Sequence, residues 1–297
     1  MRSPRPRPPL DDIDHLLALD PGGRGLTRYQ VPGAALNAAR ALRGARRVVL
    51  VTGFCVPPGV PETDGPPGAA VLGRALRRLG ADVRYLTDRP VAAPLAAVLK
   101  ALGEPEEVEV WDGGTLAGRG WQPTHLVAIE RPGRTAAGDY LSAGGESVAA
   151  WNAPLDALFM RPAGAVTVGV GDGGNEVGMG NLRARLTRAE PRLARVASVV
   201  RVRHLVVAGT SNWGAYGIVA GLARLTGRVL LHTPQDERRL VEACVDAGAV
   251  DGLSRRQEPT VDGLPLEVHA GVVALLGCAA RRPAARRARP GPGAGRV

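Results

Sequence analysis

RVVLVTGFCVPPGVPETDGPPGAAVLGRALRRLGADVRYLT, residues 47–87, decides the architecture. Residues 47–52 are a β-branched run that stops at Gly53. Residues 68–79 have helical spacing, with Val71, Leu72, Ala75, Leu76 and Leu79 on one face, and Gly80 ends them. Residues 82–87 read as a second strand. A strand, a helix and a strand in this order form a parallel βαβ unit, because parallel neighbours need a crossover.

The same rhythm runs outward from this unit. Strands are predicted over residues 108–111, 125–129, 165–170, 204–208 and 228–232. Helices are predicted over 94–102, 151–160, 215–225 and 235–247, several of them stopped by glycine. The expected fold class is α/β: a mostly parallel twisted sheet with helices on both faces, a Rossmann-like three-layer arrangement. In such sheets ligands bind beyond the C-terminal ends of the strands. The loops that matter are therefore 53–68, 130–145, 171–181 and 209–214.

Composition narrows the function classes. The chain has 297 residues, 40 Gly and 25 Pro, and only 3% aromatics, so its core is packed mainly by Ala, Val and Leu. Net charge is +10, but nine arginines lie in residues 1–9 and 281–297, which contain no acid. Without them, 29 basic residues face 28 acidic ones. These Pro/Gly-rich ends are expected to be disordered tails around a single domain over 10–280. A nucleic-acid partner would need its basic footprint on a folded face, so no specific nucleic-acid role is expected. No run approaches the roughly 18 apolar residues of a membrane span, and the first residues, alternating Arg with Pro, are not expected to form a targeting helix. A cytoplasmic protein with no membrane partner is expected, and a homo-oligomer is compatible with it. Cys55, Cys244 and Cys278 lie far apart, which excludes a C-x-x-C metal or redox motif. The five histidines are scattered, and no Ser/His/Asp set is readable.

The densest chemical signal is GVGDGGNEVGMGN, residues 169–181, directly after a strand. Its glycines let a ligand approach the backbone, and between them stand Asp172, Asn175, Glu176 and Asn181. Gly169-x-Gly171-x-x-Gly174 matches the dinucleotide fingerprint in form only, because the acid required at the end of the next strand is replaced by Ala208-Gly209-Thr210. Asp172 and Glu176 suit a ligand ammonium, a proton transfer or a hard divalent ion, in that order, since two acids are few for a metal. No cofactor is therefore assigned. Arg131 and Arg134, on the loop opened by Glu130, can clamp carboxylates in bidentate fashion. Asp64 caps a helix or lines the site. Ser211 and Asn212 offer donors at a helix start, a natural oxyanion site.

Together these strings resemble the D-glutamate cyclase family, known also from its large C-terminal domain of formerly unknown function. The matching strings are Thr52-Gly53-Phe54, Glu62-Thr63-Asp64-Gly65-Pro66, Ile129-Glu130-Arg131-Pro132-Gly133-Arg134, Pro154-Leu155-Asp156, residues 171–181, and Ser211-Asn212-Trp213-Gly214. One departure stands after Asp139-Tyr140, where the family shows a polar stretch with Arg and this chain reads Leu141-Ser142-Ala143-Gly144-Gly145. The resemblance implies a hydro-lyase converting D-glutamate, a small amino-acid substrate, to 5-oxo-D-proline and water without ATP. It implies Asp172, Glu176 and Glu130 as catalytic groups, and Arg131, Arg134, Asn175, Asn181, Ser211, Asn212 and Asp64 as substrate contacts. The alternative is a non-catalytic binder of a nucleotide or sugar phosphate on the same sheet.

Overall fold

A computed structural model describes residues 11–113 and 121–281. The expected tails, 1–9 and 281–297, lie outside the described residues except for Arg281, which closes the last helix. Six parallel strands form one sheet in the order β5-β4-β1-β6-β7-β8. They are β1 (Arg47–Thr52), β4 (Asp82–Thr87), β5 (Val108–Val110), β6 (His125–Ile129), β7 (Val166–Gly171) and β8 (His204–Val207). Strand order reverses direction between β1 and β6. That reversal opens a crevice beyond the strand ends, where a doubly wound sheet binds its ligand.

Alternation along each strand divides the core into two faces. On one, Val48, Leu50, Val127, Val168 and Val206 pack under α2 (Ala34–Leu42), α3 (Pro66–Arg78), α4 (Arg89–Ala101) and α7 (Ser211–Thr226). Three more helices complete this layer: α1 (Asp12–Leu17), α8 (Pro234–Asp246) and α9 (Leu266–Ala280). On the other face Val49, Val51, Leu126 and Val207 meet thinner cover, the short α5 (Ala157–Met160), α6 (Arg183–Ala189) and loops. Helices do lie on both faces, very unequally. The difference follows from the crossovers: the first half of the sheet is wound with full helices, the second with long loops that build the site.

Helix starts are set by local chemistry. Pro66 and Pro67 begin α3, where a missing N–H costs nothing. Thr210 caps α7 by accepting from Trp213 N. Thr233 and Asp236 form a capping box at α8. Two small hairpins, β2 (Cys55–Val56) with β3 (Val60–Pro61) and β9 (Thr260–Val261) with β10 (Leu264–Pro265), were not expected.

The strand predicted over 228–232 is absent: the segment links α7 to α8 as irregular chain. Its apolar character is used by helices, not by a sheet edge. Leu230 enters the helical core and His232 pairs with Glu237 at 2.7 Å, while Val229 is 89% exposed. No helix among the described residues is long and apolar enough to cross a membrane.

Candidate active site

Four loops leave neighbouring strand ends and converge. The turn after β7 opens with Asp172 and folds over Glu176, whose carboxylate accepts the backbone N–H groups of Asp172 (3.4 Å), Gly173 (2.6 Å) and Gly174 (2.8 Å). A side chain at Gly173 would place Cβ 2.6 Å from Glu176 Oε1, so the nest needs glycine there. Glu130, ending β6, takes a left-handed backbone with φ of 44° and accepts the Ser211 hydroxyl at 2.6 Å. Asp64 accepts Ser211 N at 2.7 Å and Asn212 N at 2.8 Å, capping α7 with a carboxylate that suits the positive end of the helix. Asn212 turns back and accepts from Gly65 N and Gly68 N, which fixes the chain entering α3.

Two segments that sequence reasoning did not single out complete the site. Arg24, between α1 and α2, donates to both oxygens of Asp172 at 2.9 and 3.0 Å and to Asp262 at 2.6 Å. Asp262 sits in the tight turn between β9 and β10, with φ of 53°. Glu62, just before Asp64, is also buried here. Thus Glu62, Asp64, Glu130, Asp172, Glu176 and Asp262 are six buried carboxylates gathered around one paired guanidinium. They border or adjoin a cleft of about 180 Å³ whose rim includes Ser142, Gly144 and Arg255. That is small beside the roughly 300–1,000 Å³ of pockets for drug-sized ligands. A larger groove of about 750 Å³ lies at the far end of α7, and its lining contains no acid.

This crowding governs the acid strengths. Burial, then repulsion from Asp172 and Glu176, pushes Glu130 well above the usual carboxylate range. Burial with the charges of Asp262 and Asp64 does the same to Glu62. Asp172 and Asp262 also rise through burial, although Arg24 opposes it. Asp64 is pushed up to about 7 by burial and by Asp262, against the pull of its two helix N–H donors. Carboxyl groups that titrate near neutrality in a cleft are suited to proton transfer. Strain concentrates here too. Of the four non-glycine residues with positive φ among the described residues, Glu130, Arg255 and Asp262 belong to the cleft. Each such backbone costs about 1–3 kcal/mol, and functional sites are where such strain is kept.

The sequence-derived residues do not all arrive in the roles expected of them. Asp172, Glu130, Asp64 and Ser211 come together at the strand ends, with Glu130 lining the cleft and the other three behind its lining. Glu176 is there, but its carboxylate is consumed by its own turn. Asn175 borders the cleft while its amide holds Leu141 O at 2.8 Å. Asn212 is spent on the α3 entry, and Asn181 pins Val202 through two bonds away from the acids. The two arginines stand elsewhere. Arg131 is 0% exposed and bound to Asp88, Gly53 O and Ala153 O. Arg134 is clamped by Asp156, with Tyr140 bonded to the same carboxylate. Neither guanidinium is free for a substrate carboxylate, because each already has a buried aspartate. Arg24 is the cation that the cleft uses.

A sequence model of the family described as "D-glutamate cyclase-like, C-terminal" matches residues 13–277. The chain is 32% identical over 238 residues to the human protein named "D-glutamate cyclase, mitochondrial", covering 72% of this chain and 38% of that relative. The chain thus spans well under half the length of this relative. A protein of Acidithiobacillus ferrooxidans named "Probable transcriptional regulatory protein" is 32% identical over 81 residues, 27% of this chain and 32% of its own length. Among solved structures, an exopolyphosphatase-related protein from Bacteroides fragilis aligns over 82% of this chain and 56% of its own, with a TM-score of 0.41 and 9% identity, too remote to inform the site.

Proposed function

The chain belongs to the D-glutamate cyclase-like family, and from that premise we propose that its acidic cleft converts D-glutamate to 5-oxo-D-proline and water as a cytoplasmic hydro-lyase. The observation that supports this most is the excess of buried carboxylates over cations at the strand ends. Such a cleft favours a ligand ammonium and offers groups that exchange protons near neutral pH.

The reaction needs two protons to move from the α-ammonium to a departing γ-carboxyl oxygen, while a carbon–nitrogen bond forms and a carbon–oxygen bond breaks. Asp172, fixed by Arg24, holds the ammonium. Glu130 has one oxygen anchored by Ser211 and the other open, so it accepts the proton that frees the amine. In the next step it returns that proton to the leaving oxygen. Asp64, titrating near 7, is placed to carry the second proton. Arg255 at the rim, paired with Glu146 at 2.6 Å, is the cation available to the α-carboxylate. Folding the flexible substrate so that amine and γ-carbon meet lowers the barrier through orientation alone. A phosphate ligand, the alternative reading, would face these acids with Arg24 already engaged.

The test is incubation of the full chain with D- and with L-glutamate, with 5-oxoproline followed by chiral chromatography. Product from the D-isomer is expected, and its loss in Asp172→Asn with the circular dichroism spectrum unchanged. Absence of product from either isomer, or undiminished turnover in Asp172→Asn, removes the proposal.

A further inference from the structure

The last helix, α9, is packed on one side and bare on the other. Leu266, His269, Val272, Val273, Leu276 and Ala279 are buried. Glu267, Gly271, Ala274, Cys278 and Arg281 follow one another at steps of four and three, which is one face of a helix, and all five are exposed. Beside them Leu275 is 50% exposed and lines an apolar groove with Leu19 of the segment after α1. This groove and the one at the far end of α7 share Cys278, so the apolar surface is continuous across the helix. Between Glu267 and Arg281 there is no acid, lysine or arginine. A helix apolar all round is ordinarily buried all round. Two observations say what covers this one. A Cβ at Gly271 would meet nothing within 4 Å, so the single chain has no packing reason for glycine there, although glycine inside a helix is less stable than alanine. Glycine at that point suits the close approach of another backbone. The second observation is charge. Glu267 and Arg281 close the stripe at its two ends, each seven residues from Ala274 and about 10 Å from it along the axis. Arg281 meets no carboxylate among the described residues, and Glu267 is held only by Arg238 at the exposed surface.

We infer that α9 pairs with α9 of a second copy of this chain, antiparallel about a twofold axis at Ala274. The stripe is its own complement. Reversed about Ala274, it sets Glu267 of each copy opposite Arg281 of the other, which makes two symmetric ion pairs around an uncharged centre. The same register puts Gly271 opposite Gly277, and these small residues let the two axes come close. A parallel pairing would set Glu267 against Glu267 and Arg281 against Arg281. The contact is isologous, as a closed dimer requires, and it covers Leu275 together with the stripe. The acidic cleft shares no lining residue with the grooves beside α9, so the pairing leaves it open in both copies.

The test is sedimentation equilibrium of the full chain from low to high micromolar concentration. A mass rising to twice the 30.9 kDa of one chain is expected. Gly271→Arg places a long side chain where the single chain has open space, so it should keep the circular dichroism spectrum and abolish the dimer. Glu267→Arg and Arg281→Glu should each weaken self-association by about tenfold or more, because each sets like charges against one another across the axis. The double variant Glu267→Arg/Arg281→Glu should recover it, a result that loss of folding cannot imitate. A chain that stays monomeric at every concentration overturns the inference. A dimer indifferent to Gly271→Arg pairs through another surface and overturns it as well. So does a double variant that fails to recover, because recovery belongs to the antiparallel register alone.

Discussion

Two neighbouring regions bury aspartates beyond the same sheet and treat them in opposite ways. In the clamp region each carboxylate is matched. Asp88 receives Arg131 and Ala153 N; Asp156 receives Arg134 through three donors and the Tyr140 hydroxyl. Burial would raise Asp156, but these donors outweigh it and hold it below the usual carboxylate range. In the cleft, six carboxylates share one paired guanidinium, and five of them, Glu62, Asp64, Glu130, Asp172 and Asp262, rise. The residue type is the same in both regions, so the stoichiometry of partners decides the role. Matched carboxylates rivet loops 130–134 and 153–156 to the sheet and so place Glu130. Unmatched ones remain available to a proton, an ammonium or a metal ion.

The largest effects should separate the regions outright. Asp172→Asn is expected to lower 5-oxoproline formation by about 10²–10⁴-fold, the usual scale for losing an acid–base or charge-holding group, without lowering the urea midpoint. Arg131→Met should do the reverse. It leaves Asp88 buried and uncompensated, at about 3–5 kcal/mol, and a urea titration should show the loss directly. If Asp172→Asn unfolds the protein as Arg131→Met does, the contrast collapses and the cleft is another rivet.

A pH titration sharpens the comparison. Asp64 has an ordinary value of 3.8 and rises to about 7 in the folded cleft. Between those values the folded state holds a proton that the unfolded chain has released. This contribution to stability is complete below 3.8 and is lost as pH rises through 7. Asp156 is depressed and runs the other way, its contribution present above 3.8 and lost on acidification. Urea midpoints from pH 4 to 8 should therefore carry a declining component from the cleft. Because Asp262 is the largest charge acting on Asp64, Asp262→Asn should make that decline shallower. An unchanged slope in Asp262→Asn would mean that the two carboxylates do not feel each other.

What the sequence allowed to be seen follows the same division. The six sheet strands were legible because β-branched runs ending in glycine have few other readings, as residues 47–53 show. Loops at strand ends located Asp64, Glu130, Asp172 and Ser211 without coordinates. Partner choice was not legible. Arg131 and Arg134 have the spacing of a carboxylate clamp, yet nothing local says that Asp88, 43 residues away, and Asp156, 22 away, claim them first. Arg24 reaches Asp262 across 238 residues from a glycine-rich loop with no periodicity. Asp262 did carry a signal: Asp262-Gly263 between Thr260-Val261 and Leu264 is the two-residue turn of a tight hairpin. The run 228–232 misled because a short apolar run reads alike whether a sheet or helices bury it.

The smallest effect concerns Glu62 and is the most discriminating, because its sign depends on pH. Its carboxyl group, raised by burial and by Asp262 and Asp64, keeps its proton to higher pH than an ordinary glutamate, and in that form has nearly the shape and charge of glutamine. At the acid end of the range Glu62→Gln should then leave the urea midpoint where it was. As pH rises, the wild type must either keep that proton against solution or bury one more negative charge, while glutamine does neither. The variant should therefore gain stability over the wild type, reaching about 1 kcal/mol by pH 8, the scale of one poorly compensated buried polar group. A variant less stable than the wild type throughout the range would show Glu62 ionised and matched by a partner, and would move it from the cleft's account to that of the clamps.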